Sequence, residues 1–132
     1  QPETMQQAPG YADVVVEVME FLQQRLLLCG EAGIPSDQVI VDPGFGFAKT
    51  LEQNFEVMNN LELFQMLELP ILVGISRKSM IYKTLNSTAQ EALNGTTVLN
   101  TIALTKGAKI LRVHDVKEAM ECVTLFNKLN NQ

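Results

Sequence analysis

Three short segments concentrate residue types that handle anions and hydrogen-bonding rings. The first, Asp42-Pro43-Gly44-Phe45-Gly46-Phe47-Ala48-Lys49-Thr50, joins a carboxylate to glycines that let backbone approach a ligand. It fits neither standard phosphate loop. Lys49 stands where a dinucleotide loop needs its third glycine, and Ala48 where a P-loop needs glycine before lysine. Asp42 is either a turn-capping carboxylate or an acceptor of paired hydrogen bonds from a ligand's amino and ring N–H groups. The second segment, Ser76-Arg77-Lys78-Ser79, sets two cations and two hydroxyls directly after an apolar run, as a surface charge pair or as an anion site at a helix start. The third, Arg112-Val113-His114-Asp115, holds the single histidine of the chain. A lone histidine is commonly structural, and Asp115 suits a helix cap. Arg112 at the end of an apolar strand would be expensive to bury without an anionic partner, and with His114 it suits two oxygens of one phosphate.

The surrounding pattern alternates helices and strands. Val15, Val18, Leu22, Leu26 and Cys29 mark one helix face from about Tyr11 to Ala32, closed by Gly30, Gly33 and Pro35. Val39-Ile40-Val41 reads as a short buried strand entering the Asp42 loop. A helix over Leu51 to Leu67 carries Leu51, Phe55, Met58, Leu61 and Phe64 on one stripe, and Pro70 introduces a strand over Ile71 to Ile75. Lys78 to Lys106 is expected to be helical in two pieces broken near Asn94-Gly95, with Gly107 as C-cap. Lys109 to Val113 is the third strand, and Asp115 with Glu118 is expected to form a capping box for a last helix, Val116 to Leu129.

Uniformly apolar strands separated by helices imply an α/β fold with a parallel sheet covered by helices. Ligands of such folds gather at the carboxyl edge of the strands, where all three polar segments fall. Side-chain alternation puts Arg112 and His114 on one side, and likewise Gly74, Ser76 and Lys78 if extended backbone continues that far.

The 132 residues are 46% hydrophobic and 19% charged, enough to build a core, and a formal charge of -5 argues against a nucleic-acid or anionic-membrane surface. No run approaches the roughly 20 apolar residues that span a bilayer, and neither a basic n-region nor an apolar h-region opens the chain. A cytoplasmic protein is expected, with Cys29 and Cys122 as buried reduced thiols. Asn86-Ser87-Thr88 and Asn94-Gly95-Thr96 match the N-glycosylation pattern and are read as chance. No His/Cys cluster has zinc spacing.

At the three segments the chain resembles dihydropteroate synthase, the folate-pathway enzyme. The resemblance rests on Val41-Asp42-Pro43-Gly44-Phe45-Gly46-Phe47, on Leu72-Val73-Gly74-Ile75-Ser76-Arg77-Lys78-Ser79-Met80, and on Gly107 to Val116, in the family's order and similar spacing. It implies a (β/α)8 TIM barrel of which residues 1–132 supply the C-terminal half, strands six to eight with their helices, Gln1 lying in a strand-to-helix loop. The implied reaction joins p-aminobenzoate to 6-hydroxymethyl-7,8-dihydropterin pyrophosphate, releasing pyrophosphate. Carried over, Asp42, Lys78 and Gly74 would contact the pterin. Lys78, Ser79 and Phe47 would shape the p-aminobenzoate pocket, which sulfonamides would share, and Arg112 with His114 would hold the pyrophosphate. Magnesium (Mg2+) is the implied cofactor, its ligands expected outside this chain, and a homodimer through helices of this half is the implied assembly. Ala48 replaces a glycine frequent in the family. The chain alone is expected to be inactive. Two other readings are a methyltetrahydrofolate methyltransferase-type pterin enzyme, in which the Ser-Arg-Lys-Ser and Arg-Val-His segments would be unexpected, and a non-catalytic half-barrel assembly module.

Overall fold

The computed structural model describes residues 11–46 and 48–130. Helix α1, Tyr11–Glu31, follows the expected span and buries Val14, Val15 and Leu22. It ends as its glycines require: Gly33 takes φ +83°, and the Ile34 amide donates to the Cys29 carbonyl at 2.9 Å. Cys122 is buried and Cys29 half-buried, and both are free thiols.

Val41 is the only residue of the expected first strand that pairs, bridging Ile71 in parallel. Its amide donates to the Pro70 carbonyl at 3.0 Å and its carbonyl accepts from the Leu72 amide at 2.8 Å. The rung upstream would need an N–H at Pro70, which proline lacks, so Val39 and Ile40 stay outside the ladder and Ile40 is 51% exposed.

Helix α2, Leu51–Asn59, is shorter than expected, and Leu61–Leu67 continues it as 3-10 turns. A capping box not anticipated from the sequence starts it: Thr50 Oγ1 accepts from the Gln53 amide and Gln53 Oε1 from the Thr50 amide. Strand β1, Ile71–Val73, and strand β2, Ala108–Leu111, pair in parallel, with Leu72 opposite Ile110 and Val73 opposite Leu111. With Val41 they give three parallel strand ends side by side, in sequence order.

Between β1 and β2 lie α3, Ser79–Tyr82, a 3-10 turn at Ala89–Glu91, and α4, Leu93–Thr105. The helical break falls before α4 and not at Asn94-Gly95, which sit in its first turn. A β-carbon at Gly95 would collide with Ile81 Cγ2, so this glycine serves close packing of α4 on α3. Gly107 follows α4 at φ +106° and donates to the Leu104 carbonyl, a C-terminal glycine as expected. Helix α5 spans Val116–Leu129 as expected, but the Asp115 side chain makes no cap hydrogen bond. The core gathers Val41, Phe45, Val57, Leu61, Phe64, Ile71, Val73, Ile75, Met80 and Ala103 under the strand ends. No helix of the described residues is long and apolar enough to cross a membrane.

Candidate active site at the strand ends

The Asp42 loop owes its shape to two left-handed glycines, Gly44 at φ +80° and Gly46 at φ +97°, which a β-carbon would strain. Asp42 Oδ1 accepts from the Gly44 amide at 2.8 Å, the turn-capping role, while Oδ2 faces Arg112 Nη1 at 3.5 Å. One carboxylate oxygen therefore holds the turn and the other faces Arg112. The buried Asn54 of α2, which sequence reasoning did not single out, anchors the loop: its Oδ1 accepts from the Gly46 amide at 2.8 Å and its Nδ2 donates to the Thr50 carbonyl at 3.0 Å. A polar residue amid the apolar stripe of α2 was the available signal. Phe47, an expected p-aminobenzoate contact, lies outside the described residues.

Five of the residues singled out from the sequence, Gly74, Ser76, Lys78, Arg112 and His114, line one small recess of about 150 Å3 with Val113. The shared side foreseen from alternation is kept although the backbone turns, the Lys78 amide donating to the Ile75 carbonyl at 3.1 Å and Arg77 taking φ +56°. Lys78 Nζ donates to the Phe45 carbonyl at 2.7 Å, tying β1's end to the Asp42 loop. Burial pulls the Lys78 ammonium below the ordinary lysine range, and the Arg112 charge adds to this while Asp42 opposes it.

Arg112 is 61% exposed on its side chain, against 35% for Asp42. Its guanidinium lies over Gly74, where a β-carbon would sit 2.5 Å from Nη2 and 2.9 Å from Cζ. Gly74 therefore makes room for Arg112. Asp42 lines a neighbouring hollow of about 470 Å3 with Glu17 and Phe21 of α1 and with Lys49, itself held below the usual lysine range by burial, against the pull of Asp42. Ser79 opens α3, a four-residue helix too short to concentrate a helix-dipole charge, and does not line the recess. A wider depression of about 600 Å3, lined by Leu51, Glu52, Phe55, Glu56, Asn59 and Thr84, presents no cation.

The buried hydroxyl of Ser76 accepts from the His114 amide at 3.2 Å and lies 2.7 Å from His114 Nδ1. With Nδ1 engaged by this hydroxyl, Nε2 is the ring nitrogen left for a ligand, and it carries the ring N–H in the tautomer in which Ser76 donates to Nδ1. The other cation of the Ser76 segment, Arg77, is engaged by the protein itself. Arg77 grips both oxygens of Asp115, Nε at 2.9 Å and Nη2 at 3.0 Å, and Nη1 donates to the carbonyls of Ala89 at 2.6 Å and Gln90 at 2.8 Å. This explains why Asp115 does not cap α5. The Arg77 hydrogen bonds hold the Asp115 carboxyl below the usual carboxylate range.

Parallel strands whose carboxyl ends present a carboxylate, a desolvated lysine, an arginine and an imidazole form the ligand edge of a β/α fold, with cations able to pair with an anion. The chain belongs to the family of pterin binding enzymes, whose pattern its residues 1–114 match. It is 45% identical over 122 residues to the dihydropteroate synthase of Escherichia coli K12, covering 92% of this chain and 43% of that one. With the Haemophilus influenzae dihydropteroate synthase it shares 41% over 131 residues, 99% of this chain and 48% of the other. Among solved structures, the Yersinia pestis dihydropteroate synthase with a sulfonamide drug superposes with a TM-score of 0.88 at 39% identity, covering 99% of this chain and 48% of that chain. The Coxiella burnetii enzyme in complex with pteroic acid gives 0.89 at 34%, covering 99% and 47%. The chain thus spans about half the length of the curated relatives it matches, and contributes β/α units of a (β/α)8 barrel.

Proposed function

We propose that this chain is part of a dihydropteroate synthase and supplies its diphosphate-holding strand ends. The observation that carries the reading is the recess lined by Lys78, Arg112 and His114, with Arg112 facing Asp42. In the reaction the amine of p-aminobenzoate attacks the methylene carbon of 6-hydroxymethyl-7,8-dihydropterin pyrophosphate, the carbon–oxygen bond breaks, and pyrophosphate leaves with the electron pair. Arg112 and His114 would donate to its oxygens as negative charge builds there. Asp42 Oδ2 would accept from the pterin once Arg112 turns to the diphosphate, Oδ1 keeping the turn. Lys78, fixed by the Phe45 carbonyl, would lie between pterin and p-aminobenzoate, with Ser79 and Phe47 on the latter's side.

The Yersinia pestis complex with a sulfonamide and the Coxiella burnetii complex with pteroic acid support these ligands for the whole protein. Magnesium would assist departure of the pyrophosphate, and among the described residues no three His, Cys, Asp or Glu side chains lie together to hold it. The same reading places the protein in the cytoplasm as a homodimer, the latter supported by exposed Val98 and Ile102 on α4 and Met120 and Leu125 on α5. Pyrophosphate release by the full-length polypeptide is the test: it should require both p-aminobenzoate and the pterin diphosphate, and release without p-aminobenzoate would defeat the reading.

A further inference from the structure

The backbone ladder between β1 and β2 stops at the Arg112 amide, which donates to the Val73 carbonyl at 3.0 Å. Side chains continue it at the separation that relates Leu72 to Ile110: the Arg112 guanidinium covers Gly74, Ser76 meets His114, and Arg77 meets Asp115. The last rung spends four of the five guanidinium N–H groups on Asp115, Ala89 and Gln90. Arg77 also holds a left-handed φ of +56°, unusual for a residue with a β-carbon, and the buried Thr96 hydroxyl of α4 accepts its amide at 3.0 Å. Lys78 follows Arg77 directly, and His114 directly precedes Asp115, so this bond ties together the backbones that carry the two groups.

We propose that Arg77 and Asp115 form a positioning pair that sets the spacing of Lys78 and His114 across the recess, Arg77 making no contact with the diphosphate. The inference rests on the proposed function. A fork that is spent on a carboxylate and two carbonyls has little left for a ligand, and a bidentate geometry fixes both distance and plane. A lysine at position 77 would keep the charge and lose that fork.

The test uses the full-length polypeptide carrying Arg77→Lys, Asp115→Asn and both together, with the KM of the pterin diphosphate, the Ki of inorganic pyrophosphate, kcat and thermal unfolding measured for each. Misplacing the two groups should raise KM and Ki by roughly tenfold to a hundredfold in either single variant. The double variant should lose no more than the worse single, because both break one rung. A role confined to folding would lower the apparent kcat and the unfolding temperature while KM and Ki stay put, and would overturn the inference. Losses that multiply in the double variant would overturn it too, as they mark Arg77 as an independent ligand group. Arg112→Ala separates the two levels. If it also leaves KM and Ki unchanged, the diphosphate reading itself fails; if it raises them while the Arg77 and Asp115 variants do not, the positioning pair alone fails.

Discussion

Replacing Gly74 by alanine separates the position of Arg112 from its presence. Gly74 is buried without a positive φ, so alanine brings no backbone strain there. Its methyl group would stand 2.5 Å from Arg112 Nη2, 2.9 Å from Cζ and 3.1 Å from Nε, and the guanidinium must swing away. In stability this is cheap. The displaced group is the end of a flexible side chain, 61% exposed, and its 3.5 Å contact with Asp42 is a solvent-screened pair contributing about 0–1 kcal/mol. Lost charge-assisted hydrogen bonds to a diphosphate weigh more, about 1.5–3 kcal/mol, a factor of roughly ten to a hundred in affinity. Gly74→Ala in the full-length polypeptide should therefore raise the KM for the pterin diphosphate by that factor, with thermal unfolding lowered by less than about 5 °C. Adding Arg112→Ala should bring little further loss. An unchanged KM, or equal and independent losses from the two substitutions, would refute the reasoning.

Other expectations follow from single contacts. Asn54→Leu leaves the Gly46 amide without its acceptor inside a buried loop base and should lower the unfolding free energy by about 1–3 kcal/mol in denaturant titration. Lys78 loses its charge at lower pH than a free lysine, so the KM of the pterin diphosphate, whose ring it is proposed to contact, should rise as pH rises through the alkaline range below 10.5. Lys78→Arg should move that limb upward, and a limb that stays in place assigns it to another group. The isolated 132-residue chain should release no pyrophosphate in the two-substrate assay.

Much of this arrangement was legible because it depends on local pattern. Helix α5 matches its expected span residue for residue, beginning directly after Asp115, and α1 nearly so, closed by its glycines. Parallel pairing followed from strands without alternation, and period-two geometry put Arg112 and His114 on one recess, whereas Lys78 reaches it through the turn at Ile75 to Lys78 and not by the extended backbone its expectation required. What was not legible turns on competition between partners distant in sequence. Asp115 and Glu118 spell a capping box, yet Arg77 claims the carboxylate; Thr50 and Gln53 spell one with no rival, and it forms. Asn94-Gly95 reads as a break in one dimension and proves to be a packing notch for Ile81 in three. Pro70 shortens the pairing of a strand thirty residues upstream by lacking one N–H, a loss visible only once Val41 is set beside it.

A crystal structure of the full-length polypeptide with the pterin diphosphate bound tests the central claim most directly. The account predicts phosphate oxygens within about 3 Å of His114 Nε2 and of the Arg112 guanidinium. It also predicts Asp42 Oδ2 turned to the pterin and Arg77 still paired with Asp115. A diphosphate seated away from Lys78, Arg112 and His114, for example against Lys49 beside α1, would contradict it.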